Sequence, residues 1–123
     1  MIDSKKKNDF SHKMNHLERN LEYLKILSFC SKTNKNLIVK KGTKDLINTL
    51  NECAINTLNG NIRISNKNKS KLKRFKYPLR KLVRNKKISD KKKILIQEGG
   101  FLQYILPGAI TLITTLIEHF LRK

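Results

Sequence analysis

Between Asn66 and Lys93 the chain carries eleven lysines and three arginines against a single acid, Asp90. Fourteen cations less one acid is +13, most of the formal net charge of +19. A charged helix face ordinarily closes a lattice of salt bridges with acids of its own. Here those acids are missing, so the segment repels itself unless a polyanion neutralises it. DNA, RNA or an anionic membrane is the class of partner this implies, and an ordinary small-molecule enzyme is disfavoured. Lysine supplies 22 of the 28 basic residues, a bias that AT-rich coding inflates. Coding bias does not account for only nine acids in the whole chain.

The charge has a pattern. Leu72, Phe75, Leu79 and Leu82 step by 3, 4 and 3, a helical stripe with Lys71, Lys73, Arg74, Lys76, Arg80, Lys81 and Arg84 around it. Pro78 is expected to kink this helix or to start a second one. Ser89 is read as the N-cap of a further short helix through Ile94, Leu95 and Ile96, stopped by Gly99-Gly100. The candidate phosphate contacts are Lys67, Lys69, Lys71, Lys73, Arg74, Lys76, Arg80, Lys81, Arg84, Lys86, Lys87, Lys91, Lys92 and Lys93. Lysines meet phosphates as point charges, whereas Arg74, Arg80 and Arg84 can bind them bidentately. The Asn and Gln side chains that read base edges show no order, so backbone neutralisation and condensation are expected, not sequence readout.

Upstream the chain is more conventional. Its 123 residues suffice for one domain, and a core that small buries roughly 60–70% of the unfolded surface. Phe10, Met14, Leu17, Leu21 and Leu24 predict an amphipathic helix over residues 10–31, with Asp9 or Ser11 as its cap. His12 and His16 have the spacing of a zinc-chelating pair, but Lys13 stands where a general base belongs and no third ligand is evident. Ser31–Gly42 reads as a linker with one short extended piece, Leu37-Ile38-Val39. A second helix is predicted from Thr43, its N-cap, to Asn59, with Leu46, Ile47, Leu50, Cys53, Ala54 and Leu58 on its apolar face. Gly60 is its C-terminal cap. Cys30 and Cys53 lack CxxC spacing and read as buried reduced thiols, with a bridge between helices as the alternative. Residues 1–8 do not have the layout of a secretory signal, which points to cytosol or nucleus.

The C-terminal stretch Phe101–Ile117 holds 17 residues without a charge, at the lower limit for crossing a bilayer. Pro107-Gly108 is expected to break it. The candidate docking residues are Phe101, Leu102, Ile105, Leu106, Ile110, Leu112, Ile113, Leu116, Ile117, Phe120 and Leu121. Thr111, Thr114, Thr115, Glu118 and Arg122 fall mostly on the other face. That polar stripe suits an interfacial or partner-docking helix better than a spanning one.

No carboxylate pair, Ser/His/Asp set, Cys/His pairing or phosphate loop is present, so no catalytic residue, metal or cofactor is assigned. The expected fold is all-α: a small elongated set of helices with a core made by residues 10–31 and 43–58. Its ranges are an N-terminal arm and linker (1–42), a basic region (43–98), and a Gly-Gly hinge with an apolar helix (99–123). The tail is expected to fold back on that core in isolation.

The order of apolar-faced helix, lysine-rich run, Gly-Gly and apolar tail resembles the pX-like proteins of adintoviruses and Polinton or Maverick elements. The likeness rests on Leu50–Ile62, Lys71-Leu72-Lys73-Arg74, Leu79-Arg80-Lys81-Leu82 and Lys91–Leu102, and does not extend to residues 1–42. Those proteins are similar in layout to the adenovirus core protein pX, or mu. The resemblance implies a virion protein packaged with double-stranded DNA and expressed late. The leading expectation is a core or minor capsid protein of the virion and host nucleus, whose residues 66–93 neutralise DNA and whose tail docks on capsid protein or membrane. It also implies trimming by a cysteine protease near Gly99-Gly100. That protease wants an aliphatic residue four before the cut and glycine two before it. A cut after Gly99 places Ile96 correctly but puts Glu98 at the glycine position, while a cut after Gly100 places Gly99 correctly but Gln97 at the aliphatic one. A simple Gly-Gly hinge is the other reading. The competing function is a membrane-active or tail-anchored protein whose lysines face anionic lipid.

Overall fold

The computed structural model describes the backbone of residues 2–121 and the side chains of residues 15–121. Among the described residues the chain is all-α, with helices α1 (Ile2–Phe29), α2 (Lys32–Lys41), α3 (Lys44–Leu58), α4 (Asn66–Leu72), α5 (Lys76–Arg84), α6 (Ile88–Glu98) and α7 (Leu102–Leu121). Short 3-10 turns, Lys73–Phe75 and Gly99–Phe101, join α4 to α5 and α6 to α7.

α3 forms where its sequence says it should. The Thr43 hydroxyl accepts from the Leu46 N–H at 3.3 Å, satisfying one orphan donor of the first turn. At the far end Gly60 takes φ +75, which a β-carbon disfavours. The Asn61 N–H then reaches the Asn56 carbonyl at 2.8 Å and the Gly60 N–H that of Thr57 at 3.1 Å, a Schellman stop.

Four expectations about the helices are corrected. α1 begins at Ile2 and ends at Phe29, so Asp9 and Ser11 lie inside the helix and do not cap it. The side chains of Phe10, His12 and Met14 fall outside the described residues. Residues 32–41 are helical, not extended: the Ser31 hydroxyl accepts from the Asn34 N–H, and Lys40 and Lys41 sit where a helix dipole favours cations. Ser89 lies within the first turn of α6, whose cap position is Lys87. Pro107 and Gly108 sit inside α7 without breaking it. Pro107 is exposed, as is Gln103, whose carbonyl is the one the missing proline N–H would have met. Gly108 is required for another reason: a β-carbon there would lie 2.4 Å from Ile62 Cγ2 and 2.6 Å from the Arg63 carbonyl oxygen. The 62–63 backbone crosses α7 at that glycine. Pro78 stands in the first turn of α5, where its missing N–H leaves no carbonyl unpaired.

The core is not made by α1 and α3 alone. One buried cluster takes Leu24 and Leu27 from α1, Val39 from α2, and Leu46, Ile47, Leu50, Cys53 and Ala54 from α3. Leu72, Leu79, Leu82, Ile94 and Leu95 join it from the basic region, and Phe101, Leu102, Ile105, Leu106 and Ala109 from the apolar tail. It therefore draws on all three ranges, 1–42, 43–98 and 99–123. α7 packs on α1 and also meets α3 and α4, while α5 lies against α3 and α6, and α6 against α2. Asn20 and Thr49, both buried, tie α1 to α3 through a hydroxyl donated to the Asn20 Oδ1 at 2.7 Å. Both cysteines are free thiols, Cys53 buried and Cys30 half-buried.

Candidate nucleic-acid interface

The apolar step of the basic segment decides which cations face water. Leu79 and Leu82 turn inward from α5, so Lys76, Arg80 and Arg84, four residues apart, fall on the outer face with Lys73 three residues before them. Successive members stand about 6 Å apart along the axis. All four are exposed, as are Lys67, Lys69, Arg74, Lys86, Lys87 and Lys93. Lys71, Lys81 and Lys92 are half-buried. Lys71 lies 5.8 Å from the centre of the Tyr104 ring, and Lys92 donates to the Lys40 carbonyl at 3.1 Å. That contact brings the exposed basic end of α2, Lys40 and Lys41, beside α6.

Lys91 is different. It is 6% exposed, and its ammonium donates at 2.7 Å to both the Asn51 Oδ1 and the Leu82 carbonyl. Burial pushes its pKa below the ordinary lysine value. It is a fastener between α3, α5 and α6, and its charge is withdrawn from any phosphate. The sequence pattern could not separate it from Lys92 and Lys93.

Counter-charges are scarce. Among the described residues Lys81 is the one member of the fourteen in an ion pair, with its Nζ 3.4 Å from Glu98 Oε2. Asp45 is taken by Arg19 at 3.5 Å and by His16 at 3.9 Å. Asp45 and Glu52 both line a recess of about 460 Å³ between α1, α3 and α7, in which no lysine or arginine takes part. The outer face of α4, α5 and the loop to α6 is thus a field of exposed, unpaired cations.

Tyr77 is the residue that the stripe left out. It follows Lys76, out of phase with the Leu72, Phe75, Leu79 and Leu82 series, and that phase slip was the available signal. Phe75, in phase, packs against Phe101 at 6.2 Å and Tyr104 at 6.0 Å between ring centres. Tyr77 remains 64% exposed.

The candidate docking residues divide. Phe101, Leu102, Ile105 and Leu106 are buried in the chain's own core, and Ile110, Leu112 and Ile113 pack against it. Ile117 and Phe120 are half-buried, while Leu116 and Leu121 are exposed, the latter by 68%. The hydroxyls of Thr111, Thr114 and Thr115 donate back to the carbonyls of Pro107, Ile110 and Thr111 at 2.8–3.1 Å. Helical geometry runs from Ile88 to Leu121 and includes an 18-residue window of mean hydropathy 1.6. Gly99 and Gly100 sit inside the 3-10 turn, and a β-carbon on Gly100 would come within 3.2 Å of the Phe75 ring.

No family model, curated protein or solved structure matches the chain.

Proposed function

We propose that the chain is a non-enzymatic DNA-binding protein that neutralises and condenses double-stranded DNA through its exposed cations, as a core or minor capsid protein of a virus particle. The observation that carries this reading is the stripe of Lys73, Lys76, Arg80 and Arg84, exposed on one face with no acid opposite any of them among the described residues. Such a face gains most from a partner that supplies closely spaced negative charge and condensed counterions to release. Support for the virion setting, and for the host nucleus as the place of assembly, is the sequence likeness to pX-like proteins. Capsid protein is then the partner of the exposed end of α7, and no small-molecule substrate enters.

Fluorescence anisotropy of the full chain on a labelled duplex, repeated at rising salt, tests the mechanism. With about eight phosphate contacts the affinity falls with a log–log slope of roughly −7. An affinity that does not weaken as salt rises overturns the phosphate-contact reading.

A second reading is favoured by the exposed Leu116 and Leu121 and by threonines that satisfy their own hydroxyls. In it the end of α7 enters an anionic membrane and the lysines meet lipid headgroups. Flotation of the chain with anionic vesicles, compared with a Leu116→Asp, Leu121→Asp variant, decides it. Equal flotation removes the tail from any membrane role.

A further inference from the structure

Beside the cation stripe lies a small open recess of about 270 Å³ lined by Tyr77, Lys81, Arg84 and Asn85. Three of the four residues that line it, Tyr77, Arg84 and Asn85, have a counterpart in a nucleotide. We propose that this recess is a single-nucleotide subsite, which stacks one unpaired base of a DNA single strand on the Tyr77 ring and holds that nucleotide's phosphate on Arg84. The proposal rests on the reading that the basic face binds nucleic acid, and goes beyond it by adding a preference for unpaired bases.

The ring is prepared on one side. Lys81 Nζ sits 5.9 Å from the Tyr77 ring centre, and its charge is balanced by Glu98 at 3.4 Å. Lys81 therefore orients the ring and contributes little net attraction for an anion. The rest of the ring stays in water, an uncommon place for an aromatic whose neighbour Phe75 is packed. Arg84 closes the recess on the outer face, exposed and without an ion pair among the described residues. The Asn85 amide donates to the Lys81 carbonyl at 2.8 Å, which leaves its Oδ1 as an acceptor for a base N–H.

A duplex offers such a ring no base face to stack on, because its paired bases are stacked on one another and present only their edges in the grooves. An unpaired base offers a π-face of its own, and stacking on an aromatic tolerates any sequence. The volume is below the roughly 300–1,000 Å³ of sites that enclose a whole small molecule. It suits one unit of a strand whose other phosphates lie on Arg80, Lys76 and Lys73.

The test uses the full chain, oligo(dT) and a duplex of matched length, both at fixed salt. Tyr77→Ala is expected to weaken oligo(dT) binding by roughly 5- to 140-fold and to leave duplex binding within about twofold. Tyr77→Phe retains oligo(dT) affinity. Tyr77→Trp introduces the chain's one tryptophan, whose fluorescence oligo(dT) quenches and the duplex does not. The side chain is exposed, and unchanged helical circular dichroism shows that the fold is intact. Equal loss on both probes, loss on neither, or an unquenched tryptophan overturns the subsite while leaving duplex binding in place. Salt-independent binding, or none, on both probes overturns the nucleic-acid reading and the subsite with it.

Discussion

Replacing Lys91 by methionine keeps an unbranched side chain one atom shorter and removes the three donors of the ammonium. The Leu82 carbonyl is one of the last four of α5 and has no helical donor of its own, so the ammonium is what satisfies it. Without it that carbonyl is buried and unpaired, which costs about 1–3 kcal/mol. Asn51 is half-buried and can turn its amide toward water, so its lost bond adds little. In the other direction, methionine escapes the desolvation that holds the lysine pKa down. The net expectation is a loss of about 1–2 kcal/mol, or roughly 3–10 °C in Tm for a domain of this size. Urea unfolding followed by circular dichroism reads it, with Lys93→Met as the control from the exposed face of the same helix. The control should stay within about 0.5 kcal/mol.

Binding is expected to reverse the order. Lys93→Met weakens duplex binding and flattens the salt slope by about 0.9, whereas Lys91→Met leaves the slope unchanged. The pH dependence adds a third sign. The folded pKa of Lys91 lies below its ordinary value of 10.5, so in the interval up to 10.5 the unfolded chain holds more protons. Wild-type stability therefore rises relative to Lys91→Met as pH climbs through that interval. A variant as stable as wild type, or one whose salt slope falls like that of Lys93→Met, refutes the assignment of Lys91 as an internal fastener.

Burial, with Glu52 adding to it, pushes the Cys53 thiol up from 9.0 to about 12, so above pH 9 the unfolded chain sheds a proton that the folded one keeps. Wild type should lose about 1.4 kcal/mol of stability between about pH 8 and pH 10 that Cys53→Ala does not lose. A thiol reagent at neutral pH should titrate Cys30 quickly and Cys53 only in denaturant, read as absorbance of the released chromophore. Gly108→Ala should cost about 1–3 kcal/mol because its methyl meets Ile62 and the Arg63 carbonyl, as thermal melting would show. Gly99→Ala, with its nearest neighbour 3.9 Å away, should cost far less. A chain ending at Glu98 lacks Phe101, Leu102, Ile105 and Leu106, and its thermal transition should lose cooperativity.

α3 was legible because every local signal agreed: a threonine cap, a regular apolar face and a glycine at the stop. α2 was not, since its ten residues carry one apolar trio and its helicity depends on the Ser31 cap and on burying Val39 against the rest of the chain. The Pro107-Gly108 pair misled for a physical reason. Both residues disfavour helix locally, yet the proline faces water and the glycine admits a crossing strand of backbone. The basic stripe was legible as a periodicity, but its edges were not: Lys91 and Lys93 differ by two positions and by which side of α6 they occupy. The fold-back of the tail on the core was expected, but not which of its residues pack there and which stay exposed, because residues fit to dock on a partner are equally fit to complete the chain's own core.

The aromatic contact of Phe75 with Phe101 and Tyr104 joins the basic helices to the root of α7. Mechanically, this makes the two ends of the molecule a strut and not a tether. A flexible linker would let a bound polyanion and a docked surface sample a spread of separations. A helix of 20 residues, clamped at its base by three rings and packed along α1 through Ile113, narrows that spread. On the proposed function, copies seated side by side would hold DNA at a single standoff from the surface met by the far ends of α7, as studs set the gap between two walls.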